Sequence, residues 1–491
     1  MLALCPKARA FDYEKGDLKL SLSGYLDARA VAPFDRDVPD EDPTTELGLE
    51  GKATVSTWAA AKLFLQAIDN GTVSGPDNGR LFNQLTKVYQ DKRPCIDVDE
   101  AYVDFFADKI EARVGIQKFS WGRLDEVNPT DNINPEDYSQ GTINDELERK
   151  IGIPAVKVSA FSDLANVELA WIPRYVPYRL PQPDEKWYPN PLKSPDFIES
   201  NGTVGLIPTT SRHDDLSMPG GGLEHSESAV RISKYISGWD VSASYYHGYD
   251  VMPITDVYSD LTITFVDLLS LDYSLALDLT YKPVVRKMNV YGFDFTTTLG
   301  SFTVRGEAAY YDGKRYNRRM DSVLSEQLSR EKQQEIFDEF YDNYIDSGGT
   351  LTTQTFHFKP QINIPLDTLK YGLGADYIHG DTSVSVQFIQ QYIPDYDRDM
   401  PVYFVDDNGF NSMLTLLFKQ FFLQNTLEAT LSGAYGIEFK DYVVKPSLKY
   451  SFTNTLQGTV GLVILGGSDE YSMFGQYDDN DEAFVRVRFS F

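Results

Sequence analysis

At the end of the chain, Ala483, Val485, Val487, Phe489 and Phe491 alternate with Glu482, Arg486, Arg488 and Ser490. A period of two turns successive side chains to opposite faces of a strand, here one apolar and one charged. The pattern recurs along the chain. Leu18, Leu20, Leu22 and Leu26 oppose Lys19, Ser21, Ser23 and Asp27, and Ala112 and Val114 oppose Glu111 and Arg113. Val304 and Ala308 oppose Arg305 and Glu307, and Leu427, Ala429, Leu431 and Tyr435 oppose Glu428, Thr430 and Ser432. Val444, Pro446, Leu448 and Tyr450 oppose Lys445, Ser447, Lys449 and Ser451. One such strand suits a soluble sandwich. Many of them suit a wall with hydrocarbon on one side and water on the other.

The connectors support the same reading. Tight turns at 107–109, 161–163, 238–239, 300–301, 380–381, 424–425 and 453–455 alternate with long segments at 121–151, 177–225, 253–285 and 315–368. The prediction is all-β: a transmembrane antiparallel β-barrel with short periplasmic turns, long extracellular loops and both termini periplasmic. The walk along the chain gives about 18 strands, with 16 as the alternative because 253–285 and 351–368 read ambiguously. Lys234 falls on the apolar parity, and Leu414–Phe422 is apolar on both faces, which suggests contact with a loop folded inward.

Composition narrows the class further. No apolar run approaches the roughly 18 residues of a spanning helix, whereas 31 Tyr and 29 Phe suit the aromatic girdles of a barrel. A net charge of -28 argues against nucleic acid as a partner. Ala8 and Ala10 fit a signal-peptide cleavage site, so 1–10 reads as a leader remnant and 11–491 as one barrel domain. Cleavage there removes Cys5 and leaves Cys95, which excludes a disulfide framework. These features place the chain in the cell outer membrane, against lipid and lipopolysaccharide. A terminal Phe491 suits recognition by the barrel-assembly machinery.

Parity sorts the strand charges into a nearly balanced lumen. One region departs from balance: the seam between the last and first strands, with Lys19, Arg29, Lys52, Lys445, Lys449, Arg486 and Arg488. Arg113 also faces inward. A basic ladder in a confined pore concentrates anions such as carboxylates, phosphates or acidic sugars, although one inserted acidic loop would cancel it. Cross-strand salt bridges that stiffen the wall are the other use of such charges, and the residues leave both open.

The stretch Ala101–Arg123 is a hairpin ending in Gly-x-Gln-x-x-x-Trp-Gly, followed by Asn128-Pro129-Thr130-Asp131-Asn132-Ile133-Asn134-Pro135. Over residues 98–138 it resembles the alginate-export type of outer-membrane porin. The resemblance implies an 18-stranded monomeric channel with a basic, selective pore and inward-folded loops, and it singles out Arg113, Gln117, Trp121, Arg123, Asn128 and Asp131. A tight Pro- and Asn-turned loop on the wall explains the same motif structurally.

Segment 318–346 has apolar residues spaced by three or four and ends at Gly348-Gly349, predicting an amphipathic helix that caps the pore from outside. Segment 173–224, rich in Pro and Gly, reads as a long loop. Acidic clusters at 35–42, 406–407 and 478–482 lack a complete calcium-loop pattern, so a metal role is left unassigned. His213, His225, His247, His357 and His379 lie in no recognisable Ser or Asp constellation, which argues against a barrel enzyme. No Cys-x-x-Cys-His haem motif occurs, and no cofactor is expected. The functional expectation is a passive, selective channel for small or anionic solutes. A sheath for an electron-transfer cytochrome is the second reading.

Overall fold

The computed structural model describes residues 11–35, 43–69, 95–138, 146–179, 181, 186–190, 198–200, 204–206, 209–214, 216–267, 272–327, 329–359 and 362–491. The expected leader remnant 1–10 and residues 36–42 of the first acidic cluster lie outside them. The wall begins with β1 (Leu18–Pro33), β2 (Thr44–Ser56), β3 (Ala59–Asp69), β4 (Cys95–Ala107), β5 (Ile110–Gln117) and β6 (Ile153–Ala160). It continues through β7 (Asn166–Ile172), β8 (Glu227–Ile236), β9 (Trp239–Tyr249), β10 (Lys287–Leu299), β11 (Phe302–Asp312) and β12 (Thr368–His379). It ends with β13 (Thr382–Tyr392), β14 (Phe410–Phe422), β15 (Leu427–Gly436), β16 (Tyr442–Ser451), β17 (Leu456–Gly466) and β18 (Glu482–Ser490).

Each wall strand pairs antiparallel with the next, and β18 returns to β1 in register from Tyr25↔Ser490 to Pro33↔Glu482. The ring is therefore closed at eighteen strands. At the seam the Gly24 amide donates to the Phe491 carbonyl (2.8 Å) and the Phe491 amide to Gly24 (2.9 Å). A further strand of the same sheet, Phe11–Lys15, pairs with Leu18–Leu22 beside the seam. Closure leaves the wall no open edge, the condition for crossing a bilayer with strands.

Tight connections gather at one end. Ser237 (φ 49°) and Gly238 (φ 94°) join β8 to β9, both in the left-handed region that a two-residue hairpin matched to strand twist requires. The opposite end carries the long segments 118–152, 173–226, 250–286 and 313–367. The uncertain segments 253–285 and 351–368 contribute mainly to a separate sheet, and the ring closes at eighteen strands without them, so the sixteen-strand alternative falls.

The exterior carries Leu26, Leu47, Leu63, Val103, Val114, Leu169, Ile232, Phe293, Leu373, Leu414, Leu431, Leu448, Val460, Val485 and Val487, all exposed. So continuous an apolar band has no counterpart on a soluble monomer and calls for hydrocarbon around it. Aromatic rows bound it. Towards the loops, Tyr245, Tyr291 and Tyr310 stand in register across β9, β10 and β11. Towards the turns come the pairs Trp58–Phe105, Phe302–Tyr377, Tyr450–Phe452 and Phe489–Phe491. Lys234 pairs with Val241 on this outward parity, close to the β8–β9 turn, where its ammonium can snorkel past the apolar band.

A second sheet sits at the loop end. Ile254–Asp267 and Asp272–Val284 form its hairpin, Thr353–Phe358 adds antiparallel, and Thr210–His213 adds parallel. The expected single helix is two, α1 (Met320–Gln327) and α2 (Arg330–Asp346). The break falls at Ser329, whose side chain accepts from the Lys332 amide and caps α2. Gly348 (φ 69°) and Gly349 (φ 81°) end it, with amides returning to the Ile345 and Tyr344 carbonyls. Met320, Ile336 and Phe340 pack onto Val257, Leu261, Ile263, Leu277, Leu279 and Tyr281, a core without any wall residue.

Candidate channel lumen

The chain leaves β5 at Gln117 and folds into the barrel. Gln117 is fully buried and donates to the Ala155 carbonyl on β6 (2.9 Å). Asn134 ties both ends of the excursion, accepting from the Phe119 amide (2.6 Å) and donating to the Ile151 carbonyl (2.8 Å). Phe119, Trp121 and Ile133 pack on Ala155, Ala170, Ala229, Val290, Ala309 and Tyr311, inward residues of β6, β7, β8, β10 and β11. The small side chains there make room for the inserted rings, and burying this apolar surface fastens the segment. On the other side Met413 of β14 packs with Trp187 and Val127.

Polar anchors complete the attachment. Glu307 of β11 accepts from the backbone amides of Arg123, Leu124 and Thr130 and from the Thr130 hydroxyl. Arg123 bridges Asp240 of β9 (2.6 Å) and Asp294 of β10 (2.9 Å). Asp125 pairs with Arg305 (2.7 Å), which also holds Asp376 of β12 (2.7 Å). Residues 119–132 thus cross the inner wall from β9 to β13, where Gln387 accepts from the Asp125 amide (2.9 Å).

The return half is held by charge. Lys150 pairs with Asp131 (2.5 Å), both nearly inaccessible, and Arg149 pairs with Glu126 and Glu136 (3.0 Å each). Arg179 joins Asp97 of β4 (3.0 Å) to Asp137 (2.5 Å). The short helical turn Glu146–Arg149 presents Glu148 to the seam, where it meets Arg486 (3.1 Å) and Arg488 (3.2 Å) of β18. Behind them, Asp27 of β1 accepts from both Nε atoms, at 2.8 and 2.6 Å. Burial opposes ionisation of Glu148, but the two guanidiniums outweigh it and hold the carboxyl below the usual range. Beside this group lies a cavity of about 80 Å³ lined by Arg29, Glu46, Asp97, Asp99, Arg149 and Arg179 among others.

A family model described as "Protein of unknown function (DUF1302)" matches residues 12–491. The chain belongs to this family. No curated protein matches it. Among solved structures, OccAB4 of Acinetobacter baumannii is 10% identical with a TM-score of 0.45, covering 97% of this chain and 99% of that one. OccK5 (OpdH) of Pseudomonas aeruginosa is 10% identical with a TM-score of 0.44, covering 96% and 98%. Salmonella typhi OmpF in complex with daunomycin is 8% identical with a TM-score of 0.41, covering 98% and 100%. The alginate-export resemblance of residues 98–138 remains a likeness of that segment.

In this DUF1302 barrel the seam residues divide. Arg486 and the buried Arg29 line the cavity, and Arg488 stands beside Arg486 on Asp27. Lys19 stands apart at the turn end with Glu14 (2.9 Å), Lys52 pairs with Glu50 (2.6 Å), and Lys449 pairs with Glu428 (2.6 Å). Lys445 lies in register with Ser432. Arg113 pairs with Asp104 (2.6 Å) and stacks on the Tyr102 ring (3.7 Å). The expected basic excess is thus met by carboxylates, one of them Glu148 from an inserted segment. Of the motif residues, Trp121 donates to Glu168, Asp131 holds Lys150, and the Asn128 carbonyl accepts from the Asp131 amide (3.3 Å). These residues build the inserted segment and fix it to the wall.

Sequence reasoning missed Glu148, because an Asp- and Glu-rich loop carries no periodicity. It also missed the apolar inner face, which the alanines at 155, 170, 229 and 309 signalled by recurring on the inward parity. The histidines are dispersed: His213 stacks on Tyr281 (4.7 Å), His225 contacts Tyr249, His247 Asn289, and His357 Asp260, while His379 stacks beside Tyr377. Asp35, Asp478, Asp479 and Asp481 line an open depression with Phe34. Among the described residues no group of His, Cys, Asp or Glu is arranged to hold a metal.

Proposed function

We propose that this protein is an outer-membrane channel through which small solutes diffuse passively, with a preference for anions. The observation that carries the reading is the pair Arg486 and Arg488, turned into the lumen of a closed barrel whose exterior is apolar. With Asp27 and Glu148 the group is neutral overall, so the preference comes from the guanidinium donors, which a solute anion can contact by exchange, and not from a net positive potential. The inserted residues 119–138 and 146–151 narrow the path and contribute to its lining. Because the Arg486 and Arg488 guanidiniums already face Asp27 and Glu148, small anions that exchange single contacts suit this lumen better than a long polyanion needing a continuous basic track. The band bounded by aromatic rows supports seating in lipid.

Conductance and reversal potential of the purified barrel in planar bilayers across a salt gradient test this reading. A steady conductance with anion preference, reduced in the Arg486→Gln and Arg488→Gln variants, is expected. A folded, inserted barrel that conducts nothing refutes it.

A further inference from the structure

Three lumenal residues, Arg486, Arg488 and Glu148, join the wall at the seam to the inserted segment. Arg486 and Arg488 sit two positions apart on β18 and so on the same inner face. Asp27 engages their Nε atoms from one side, at 2.6 to 3.0 Å, and the Tyr25 ring lies 4.4 Å from the Arg488 guanidinium. This leaves terminal amines aimed at one point. Glu148 occupies that point, its Oε1 accepting from Arg486 (3.1 Å) and Arg488 (3.2 Å) and its Oε2 from Arg486 (3.3 Å). Planar guanidiniums oriented from behind and converging on two oxygens are the geometry of carboxylate recognition.

Unlike the fully buried pairs of the lumen, this one stays open to water. The Glu148 side chain is 33% accessible, and those of Arg486 and Arg488 are 25% and 28%. By contrast Lys150 and Asp131 are each 4% accessible. The segment has other anchors besides this contact, the apolar core and the pairs of Asp131, Glu136 and Asp137. Releasing Glu148 therefore leaves the rest of the inserted segment fastened.

We infer that Arg486 and Arg488 form a carboxylate-binding subsite whose resting occupant is Glu148, so that a carboxylate solute binds by exchange with it. The inference rests on the channel reading and names the solute class that the lumen selects. Exchange keeps the charge of the group constant: two guanidiniums, Asp27 and one further carboxylate. Addition without exchange would place another anion among Asp27, Glu46, Asp97 and Asp99, all of which line the adjoining cavity. The preference for carboxylate over phosphate follows from the same balance, since a dianion in place of Glu148 leaves one negative charge in excess.

The test is calorimetric binding of acetate to the folded barrel in detergent micelles, with acetamide and inorganic phosphate as comparison probes. Glu148→Gln removes the internal competitor and retains the shape of the turn. It is expected to tighten acetate binding about tenfold, the factor for a site occupied nine-tenths of the time by its own ligand. Acetamide should not respond, and adding Arg486→Gln and Arg488→Gln should abolish the gain. Heat-modifiable gel mobility confirms folding of each variant, and Arg486→Lys, which keeps the charge but loses the fork, should recover only part of the affinity. Unchanged or weaker acetate binding in Glu148→Gln overturns the proposal, as does tighter binding of phosphate than of acetate. Because binding is read without conductance, a barrel that gains acetate affinity but does not conduct supports the subsite and counts against the channel alone.

Discussion

Glu307 and Thr130 meet across the lumen: the carboxylate of β11 accepts both the backbone amide (3.1 Å) and the hydroxyl (2.8 Å) of a residue from the inserted segment. The same carboxylate serves the amides of Arg123 and Leu124, so one wall residue holds three positions of the inserted segment. Replacing it strands several buried donors at once. Glu307→Ala should destabilise the inserted segment by at least about 3 kcal/mol, since several buried donors each lose a partner at a cost of about 1–3 kcal/mol. Limited proteolysis should cut within 119–132 in the variant while the barrel keeps its heat-modifiable mobility.

Gly122 lies under that carboxylate with φ 92°, and a Cβ there would stand 2.7 Å from Glu307 Oε1. Backbone strain and steric clash therefore act together. Gly122→Ala should cost about 1–3 kcal/mol, read as a lower urea midpoint for the proteolytic protection of 119–132. A variant as protected as the parent would show that the turn can relax.

Closure of the ring depends on Gly24 and Phe491, which exchange two backbone hydrogen bonds. A Cβ on Gly24 would lie 2.5 Å from the Gly48 carbonyl and 2.8 Å from the Phe491 ring. Gly24→Val should slow closure and lower the folded fraction on refolding into micelles, measured on unheated gels. Deleting Phe491 should do the same through loss of the two bonds.

The Glu148 contact should weaken in acid. Its folded carboxyl titrates below the ordinary value of 4.5, so the stabilisation is complete above that value and is lost as pH falls through the depressed one. Protease sensitivity of residues 146–152 should rise only below about pH 4. In Glu148→Gln this step should vanish, leaving sensitivity already raised at neutral pH.

The loop-end sheet has its own core, with Phe340 of α2 only 1% exposed. Phe340→Ala should cost about 3–5 kcal/mol locally and leave the ring intact, because that core includes no wall residue. Near-ultraviolet circular dichroism during thermal denaturation should then show an early transition, followed by an unchanged barrel transition.

The alternation around Arg486, Leu448 or Leu26 was legible because it is local. A period of two puts lipid-facing and water-facing residues on opposite sides whatever the strand's neighbours are. The turn at Gly238, read one residue late as 238–239, and the stop at Gly348-Gly349 were legible for the same reason, since each answers to its own backbone geometry. The barrel class and its approximate size therefore followed from the chain alone.

What the tertiary structure decided were the meetings of distant segments. Alternation could not tell whether 254–284 lies in the wall or in a sheet above it, since both environments bury one face of a hairpin. Nor could parity reveal that Glu148 would reach the guanidiniums of Arg486 and Arg488, more than three hundred residues away. An inward charge is neutralised by whatever the fold brings within Coulombic range, and that range is a distance in space rather than in sequence. The sequence by itself determined which faces of the strands meet lipid and which meet the lumen; only the folded barrel decided which of its lumenal charges are already spoken for.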